Sequence, residues 1–341
     1  MSYGKSLNHW FINHQREMPW RKTKDPYLIW VSEVMLQQTQ VDTVIPYYLR
    51  FCERFPTMET LASASLEEVL TLWRGLGYYR RAENLHKGVK KIVHEHKGCF
   101  PDSLKDLAGI PGIGAYTAGA ILSIAFNQPV AAVDGNVMRI LARQFAISED
   151  IGRSKAVKVF EKLVLELMEG EPSVFNQAMM ELGALICTPR NPNCPQCPVK
   201  SECQAYAQGN PEAYPVKSKK EKPAEETYVA LILKKGKTYH MEKRPDQGLL
   251  ANLWGFPLLE GALYEELSAL GQPLSPVSHV FTHRKWLLKP VILEYTEDNI
   301  ALLREVLKGE IEEFFSMEEI QHLPIGTAFL KIISQIVLKM V

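Results

Sequence analysis

The thirty residues LAGIPGIGAYTAGAILSIAFNQPVAAVDGN, Leu107 to Asn136, decide how this chain is read. A short helix end leads into the turn Ile110-Pro111-Gly112-Ile113-Gly114, and apolar spacing predicts a second helix from about Ala115. Two glycines bracketing one apolar residue leave no Cβ between the backbone and a partner. The first N–H groups of the second helix lack intrahelical partners and carry the positive end of its dipole. Such a turn can hold a phosphate by main chain alone, which makes Gly112 and Gly114 candidate DNA contacts. Asp134 follows the apolar run Val130 to Val133, which predicts a half-buried carboxylate. A phosphate grip followed by such a carboxylate suggests an enzyme that works on nucleic acid. The plainer alternative is a helical hairpin in which Asp134 only caps the next helix.

The chain has 341 residues, enough for two ordinary domains. Hydrophobic residues make up 46% and charged residues 23%, the profile of a soluble globular protein. Lys plus Arg and Asp plus Glu are both 39, which argues against a whole-surface polycation but leaves room for a local basic groove. No apolar run suggests a membrane span and the first residues show no signal-peptide stretch, so the expected setting is cytoplasmic, with no membrane partner.

Cysteine usage is uneven. Cys187, Cys194, Cys197 and Cys203 are spaced C-x6-C-x2-C-x5-C, while Cys52 and Cys99 stand alone. In a reducing compartment four clustered cysteines read as a metal site rather than as disulfides. Thiolates suit zinc and an iron-sulfur cluster equally, and the spacing leaves the metal open. The loop is rich in proline and carries Arg190 and Lys200, so a bound metal would order a basic loop against DNA.

Helical periodicity marks Tyr27 to Thr39, Asp42 to Phe51, Ser65 to Trp73, Arg80 to His96, Tyr116 to Phe126, Val137 to Phe145, Ser154 to Leu167 and Val174 to Ile186. Residues 1–206 are therefore expected to form a mostly α domain. A Lys-, Glu- and Pro-rich linker is expected over 207–226, and an α+β domain over 227–341. Strands are predicted at Tyr228 to Lys234, Thr238 to Lys243, His279 to Trp286 and Trp286 to Tyr295. Helices are predicted at Leu263 to Leu270, Asn299 to Leu307 and Ala328 to Leu338.

Several segments match a known family. They are MPWR (Met18 to Arg21), SEVMLQQTQV (Ser32 to Val41), WRGLGYYRRAENLH (Trp73 to His86), the hairpin, VDGNVMR (Val133 to Arg139) and the four-cysteine loop. Together they resemble the helix-hairpin-helix DNA glycosylases with an iron-sulfur loop, and within them the MutY-type adenine DNA glycosylases. The resemblance implies a four-iron four-sulfur (4Fe-4S) cluster on Cys187, Cys194, Cys197 and Cys203, with no part in bond cleavage. It also implies a monomer acting on double-stranded DNA that carries adenine opposite 8-oxoguanine or guanine. Tyr116 stands where endonuclease III-type relatives carry a nucleophilic lysine, so the chain is expected to excise a base and stop.

By the same resemblance Glu33 is the general acid that protonates adenine at N7, and Asp134 is the ionised partner of the oxocarbenium ion. Tyr116 would hydrogen-bond within the site, and Asn136 would fix a catalytic carboxylate. Arg16, Trp20, Arg21, Leu36, Val41 and Gln177 match adenine-pocket positions, the last holding Glu in some relatives. Gln38, Thr39, Leu76 and Tyr78 match positions that fill the duplex opposite the flipped base, against a plain packing role for Leu76 and Tyr78.

Residues 227–341 resemble the family's C-terminal domain, itself similar to Nudix hydrolases, through RPDQGLLANLWGFPLLEG (Arg244 to Gly261) and HVFTHRKW (His279 to Trp286). The glutamate-rich box that holds catalytic metal in such hydrolases is absent from this sequence, so the domain is expected to bind rather than cut. Its reading loop for 8-oxoguanine would be Phe281-Thr282-His283 with His279 before it; the usual bacterial pattern is Phe-Ser-His. Thr keeps the hydroxyl but stiffens χ1. The rival readings are an endonuclease III-like lyase, a silent lesion binder and a nucleotide hydrolase.

Overall fold

Asp25, Ser65, Ser103 and Asp134 each stand at a helix N-cap and accept hydrogen bonds from the first free backbone amides. These caps set where the helices begin. The computed structural model describes residues 2–153, 155–218, 223–303, 307 and 311–339. Ser154 of the predicted helix 154–167, residues 219–222 of the predicted linker and residues 304–306 of the predicted helix 299–307 lie outside them.

In chain order the first helices are α1 (Tyr3–His14), α2 (Pro26–Leu36), α3 (Val41–Arg54), α4 (Met58–Ser63), α5 (Leu66–Leu72), α6 (Arg80–Glu95) and α7 (Leu104–Leu107). They are followed by α8 (Ala115–Phe126), α9 (Gly135–Gln144), α10 (Ala156–Leu167), α11 (Pro172–Leu185) and α12 (Gln204–Ala207). Contacts divide the chain into two units: Met1–Ser63 with Asn84–Lys219, and Ala64–Glu83 with Lys220–Val341. The segment carrying α5 thus groups with the C-terminal residues.

In the first unit α11 is the central helix, packing on α1, α8 and α9. Its apolar residues Phe175, Ala178, Met179 and Leu182 close a core with Leu7, Phe11, Val137, Ile140 and Phe160. Residues 29–35 of α2 are all buried, as expected for a helix that is apolar nearly all round. The predicted helix 27–39 stops at Leu36, because Gln38 takes φ 58° in the left-handed region. Helix α1 has no counterpart among the expected helices, although its buried Tyr3, Leu7, Trp10 and Phe11 carry the helical spacing. Gly112 at the hairpin has φ +84°, and a Cβ there would meet Asn84 and Leu85 backbone at 3.2 Å. Gly119 of α8 lies so close to the extended segment before α9 that a Cβ would stand 2.2 Å from Ala131 O. Asn176 of α11 pins the same segment, accepting from Ala132 N at 3.2 Å and donating to Val130 O at 2.8 Å.

The second unit holds β1 (Ala224–Lys235), β2 (Thr238–His240), β3 (Glu242–Lys243), β4 (Trp254–Gly255), β5 (Leu258–Glu260), β6 (Gln272–Pro273), β7 (Val277–Val280), β8 (Arg284–Glu294) and β9 (Phe314–Ser316). Its later helices are α13 (Tyr264–Leu270), α14 (Glu297–Leu303), α15 (Met317–Ile320) and α16 (Thr327–Leu338). Among the described residues a seven-stranded mixed sheet runs β6-β8-β1-β2-β9, with β5 on β1 and β7 on β8. Strands β1 and β8 are parallel, Ala224 opposite Arg284 through Lys234 opposite Glu294. Val229 to Leu233 are buried throughout, and alternate residues feed two cores. Ala230 and Ile232 pack with α16; Val229, Leu231 and Leu233 pack with Leu267 and Leu303. One strand expectation needs correction. His279 to Trp286 is not continuous but a hairpin, with His279 paired to Trp286 and Phe281-Thr282-His283 at the turn. Alternating side chains alone do not distinguish a strand from a tight reversal between two short ones.

Candidate active site

Glu33 sits one turn before the C-terminus of α2, 5% exposed, among Trp30, Val34 and Met35. Its Oε2 is buried without a hydrogen-bond partner among the described residues. Burial lifts this carboxyl from 4.5 to about 7; a hydrogen bond from Tyr116 opposes the rise, Asp134 adds to it and Arg21 offsets part of it. Tyr116, the second residue of α8, stands beside Glu33 with its hydroxyl also 3.9 Å from Met180 Sδ. Burial and the two neighbouring carboxylates hold its phenol well above the usual range.

Asp134 is both the cap of α9 and the second carboxylate of the site. Its Oδ1 accepts from Asn136 N at 2.9 Å and Val137 N at 2.8 Å, while Asn136 Nδ2 donates to Oδ2 at 2.7 Å. The capping alternative therefore holds, and it leaves the carboxylate compatible with a place in the site. The cap fixes the carboxylate, and the contacts at Gly119 and Asn176 bring it beside α8. The arrangement pairs a carboxyl that keeps its proton near neutral pH with one held by three hydrogen bonds, a set able to give a proton and face a cation.

The arginines of the expected pocket converge on a residue the sequence reading missed. Glu181 of α11 is 1% exposed. Arg16 contacts it through Nε at 3.0 Å and Nη2 at 2.8 Å, and Arg21 through Nη1 at 3.2 Å and Nη2 at 3.0 Å. Burial alone would raise this carboxyl, but the bonds from Arg16 and then Arg21 override it and hold it at about 2. A lone acid inside the apolar run Met179 to Leu185, with two arginines elsewhere lacking an obvious anion, was the available signal. Trp20 is buried edge-on to Tyr48, ring centroids 5.3 Å apart. Leu36 and Val41 are half-buried at facing ends of α2 and α3, with Gln38 exposed and Thr39 half-buried in the turn between. Gln177 lies one turn before Glu181, and its amide donates to Ser173 O at 3.2 Å. Gly112 and Gly114 lie at the hairpin turn, Gly114 capping α8 with open space where its Cβ would be.

Cys187, Cys194, Cys197 and Cys203 are free thiols that line one cavity with Ile140, Leu182 and Val199. Arg143, 2% exposed, donates to Cys187 Sγ at 3.3 Å and to the carbonyls of Thr188, Pro189 and Tyr214. Burial pushes the Cys197 thiol up to about 12. Among the described residues no three His, Cys, Asp or Glu side chains are close enough together to hold a single metal ion. No helix among them is long and apolar enough to cross a membrane.

The remaining expected residues lie in the second unit. Leu76 is 6% exposed and Tyr78 51% exposed. The ring of Phe281 sits 4.8 Å from Trp286 and 4.6 Å from His279, leaving Thr282 and His283 exposed at the hairpin tip. Burial, then Lys331, lowers the His279 imidazole below its ordinary value.

Comparison with known proteins fits this layout. Residues 31–166 match the HhH-GPD superfamily of base excision DNA repair proteins, and residues 228–335 match the NUDIX domain. The chain is 42% identical over 255 residues to the adenine DNA glycosylase of Buchnera aphidicola subsp. Schizaphis graminum, covering 74% of this chain and 73% of that protein. It is 37% identical over 354 residues to the adenine DNA glycosylase of Rattus norvegicus, covering 83% and 69%. Among solved structures, a thermostable thymine-DNA glycosylase superposes with TM-score 0.55 at 27% identity over 60% of this chain and 95% of that one. A non-covalent endonuclease III-DNA complex does so with TM-score 0.52 at 25% identity, over 60% and 94%. The chain belongs to the adenine DNA glycosylase family, DNA N-glycosylases of base excision repair.

Proposed function

We propose that this chain removes adenine paired with 8-oxoguanine, and more slowly adenine paired with guanine, acting as a monomer on double-stranded DNA in the cytoplasm. The observation that carries the chemistry is the buried carboxyl of Glu33, lifted to about 7, with one oxygen free of any described partner and Asp134 close by. Adenine is a poor leaving group as an anion, so the flipped base needs a proton as its glycosidic bond breaks. Glu33 gives that proton to N7. Asp134, held by Asn136 and two backbone amides, faces the positive charge that develops on the sugar. Tyr116 hydrogen-bonds to Glu33 and offers no amine, so the product is an abasic site with an intact strand.

Arg16, Trp20, Arg21, Leu36, Val41 and Gln177 line the adenine pocket, and Gly112 and Gly114 approach the backbone phosphates. Gln38, Thr39, Leu76 and Tyr78 fill the duplex. The exposed tip Thr282-His283, with Phe281 and His279 behind it, reads the 8-oxoguanine.

The four clustered cysteines fit a four-iron four-sulfur cluster. They are unpaired thiols that line one cavity. The bound cluster would supply cross-linking of the loop rather than acid–base chemistry, and Arg143 would brace that loop through Cys187 and two carbonyls.

Duplexes with one adenine opposite 8-oxoguanine, guanine or thymine test the reading. Strand breaks that need hot alkali and form fastest opposite 8-oxoguanine are expected. Equal rates opposite all three bases would remove the lesion-reading role, and breaks without alkali would overturn the monofunctional assignment.

A further inference from the structure

The segment Ala64–Glu83 belongs with the C-terminal residues by its contacts, and it carries Leu76 and Tyr78. At the centre of that association is Tyr79, 5% exposed. Its hydroxyl accepts from Gly75 N at 3.1 Å and donates to Ile325 O at 2.8 Å, so one oxygen ties the start of the loop to the C-terminal chain. Ile325 is fully buried and bridges to Trp254, which makes that acceptor rigid. Arg74 adds bonds from Nη1 to Ile320 O, at 3.0 Å, and to Gln321 O. Flanking contacts brace both sides: Lys243 pairs with Glu67 at 3.0 Å, and Asn252 Nδ2 donates to Glu83 Oε1 at 3.2 Å.

The loop between these anchors is unusual in its backbone. Gly75 (φ 93°), Gly77 (φ 75°) and Tyr78 (φ 46°) all take left-handed conformations. For Tyr78 this is a sparsely populated state, which persists only where the surroundings over-determine it. Within the loop's own neighbourhood Trp73 Nε1 donates to Gly77 O at 3.1 Å, and the Arg81 guanidinium lies 5.5 Å over the Tyr78 ring. Arg81 also donates to the carbonyls of Leu76, Gly77 and Tyr78, and residues 320–325 add further constraints through Arg74 and Tyr79.

We propose that Tyr79 and Arg74 are positioning residues through which residues 320–325 set the shape of the loop Gly75–Tyr78 and so hold its exposed tyrosine ready to enter the duplex. The proposal rests on reading Leu76 and Tyr78 as duplex-filling residues. It assigns the C-terminal unit a second task besides reading the opposite base: supporting the wedge.

The test uses the full chain and a duplex with adenine opposite 8-oxoguanine, in which 2-aminopurine beside the lesion reports unstacking by its fluorescence. Single-turnover excision and fluorescence are measured for Y78A, Y79F, R74Q and the doubles Y78A/Y79F and Y78A/R74Q. Y79F and R74Q should each lower both signals about fivefold, the scale of one lost hydrogen bond. On the Y78A background neither should add a further loss, because both act through the same side chain. Additive losses in the doubles would make them merely structural residues and overturn the proposal. Full signals in Y79F and R74Q beside a weakened Y78A would overturn it while keeping the wedge reading. An unaffected Y78A would remove the wedge reading and the proposal with it. Should Y79F unfold, the R74Q cycle decides alone.

Discussion

Helices α2 and α11 each bury a glutamate, and they treat it in opposite ways. Glu33 on α2 meets apolar neighbours and a phenol, with one oxygen left without a described partner, and its carboxyl rises to about 7. Glu181 on α11 is buried too, yet two arginines take both its oxygens and hold it at about 2. Burial penalises the charged form in both places, and only the partners decide the outcome. The first carboxyl can exchange a proton near neutral pH. The second is ionised at neutral pH and braces Arg16 and Arg21.

The sharpest way to break this contrast is Glu33→Gln. Excision of adenine should fall roughly a thousandfold, within the span of general acid catalysis, in single-turnover assays. Near-normal rates would show that the raised carboxyl does no chemistry.

The same substitution should raise stability. A native carboxyl shifted from 4.5 to about 7 keeps a proton that the unfolded chain releases, so stability falls as pH rises through this window and then levels off. Removing the group should gain up to about 3 kcal/mol at pH 8 and almost nothing at pH 4. Denaturant melts at both values check this; a pH-independent difference would contradict it.

Glu181→Gln should have the opposite sign. The depressed carboxyl stabilises the fold above 4.5 and loses that contribution as pH falls toward about 2. Leaving two arginines on a neutral amide should cost about 2 kcal/mol at pH 7, with the deficit shrinking in acid. Unchanged melting would mean the arginines are indifferent to its charge.

The smallest effect is graded. Excision by the unaltered chain should decline about tenfold per pH unit above roughly 7, as Glu33 loses its proton. A flat profile from pH 6 to 9 would separate the acid from the rate.

Much of the first unit was legible because its signals are local. The glycines of the hairpin, the cap at Asp134 and the apolar periods of α8 and α9 all act within a few residues of where they are written. Glu181 escaped notice because its meaning depends on Arg16 and Arg21, some 160 positions away. The reversal at Phe281-Thr282-His283 was hidden because β7 and β8 both alternate correctly on either side of it.

By itself the sequence determined the helical and sheet classes of the two halves, the turn at Gly112 and the clustering of four thiols along the chain, since propensity, capping and spacing are properties of short segments. Only the tertiary structure decided that Glu33 keeps a proton while Glu181 cannot, and that residues 64–83 join the C-terminal unit. Those outcomes depend on solvent exclusion and on charges and carbonyls brought together from distant parts of the chain, which no local pattern encodes.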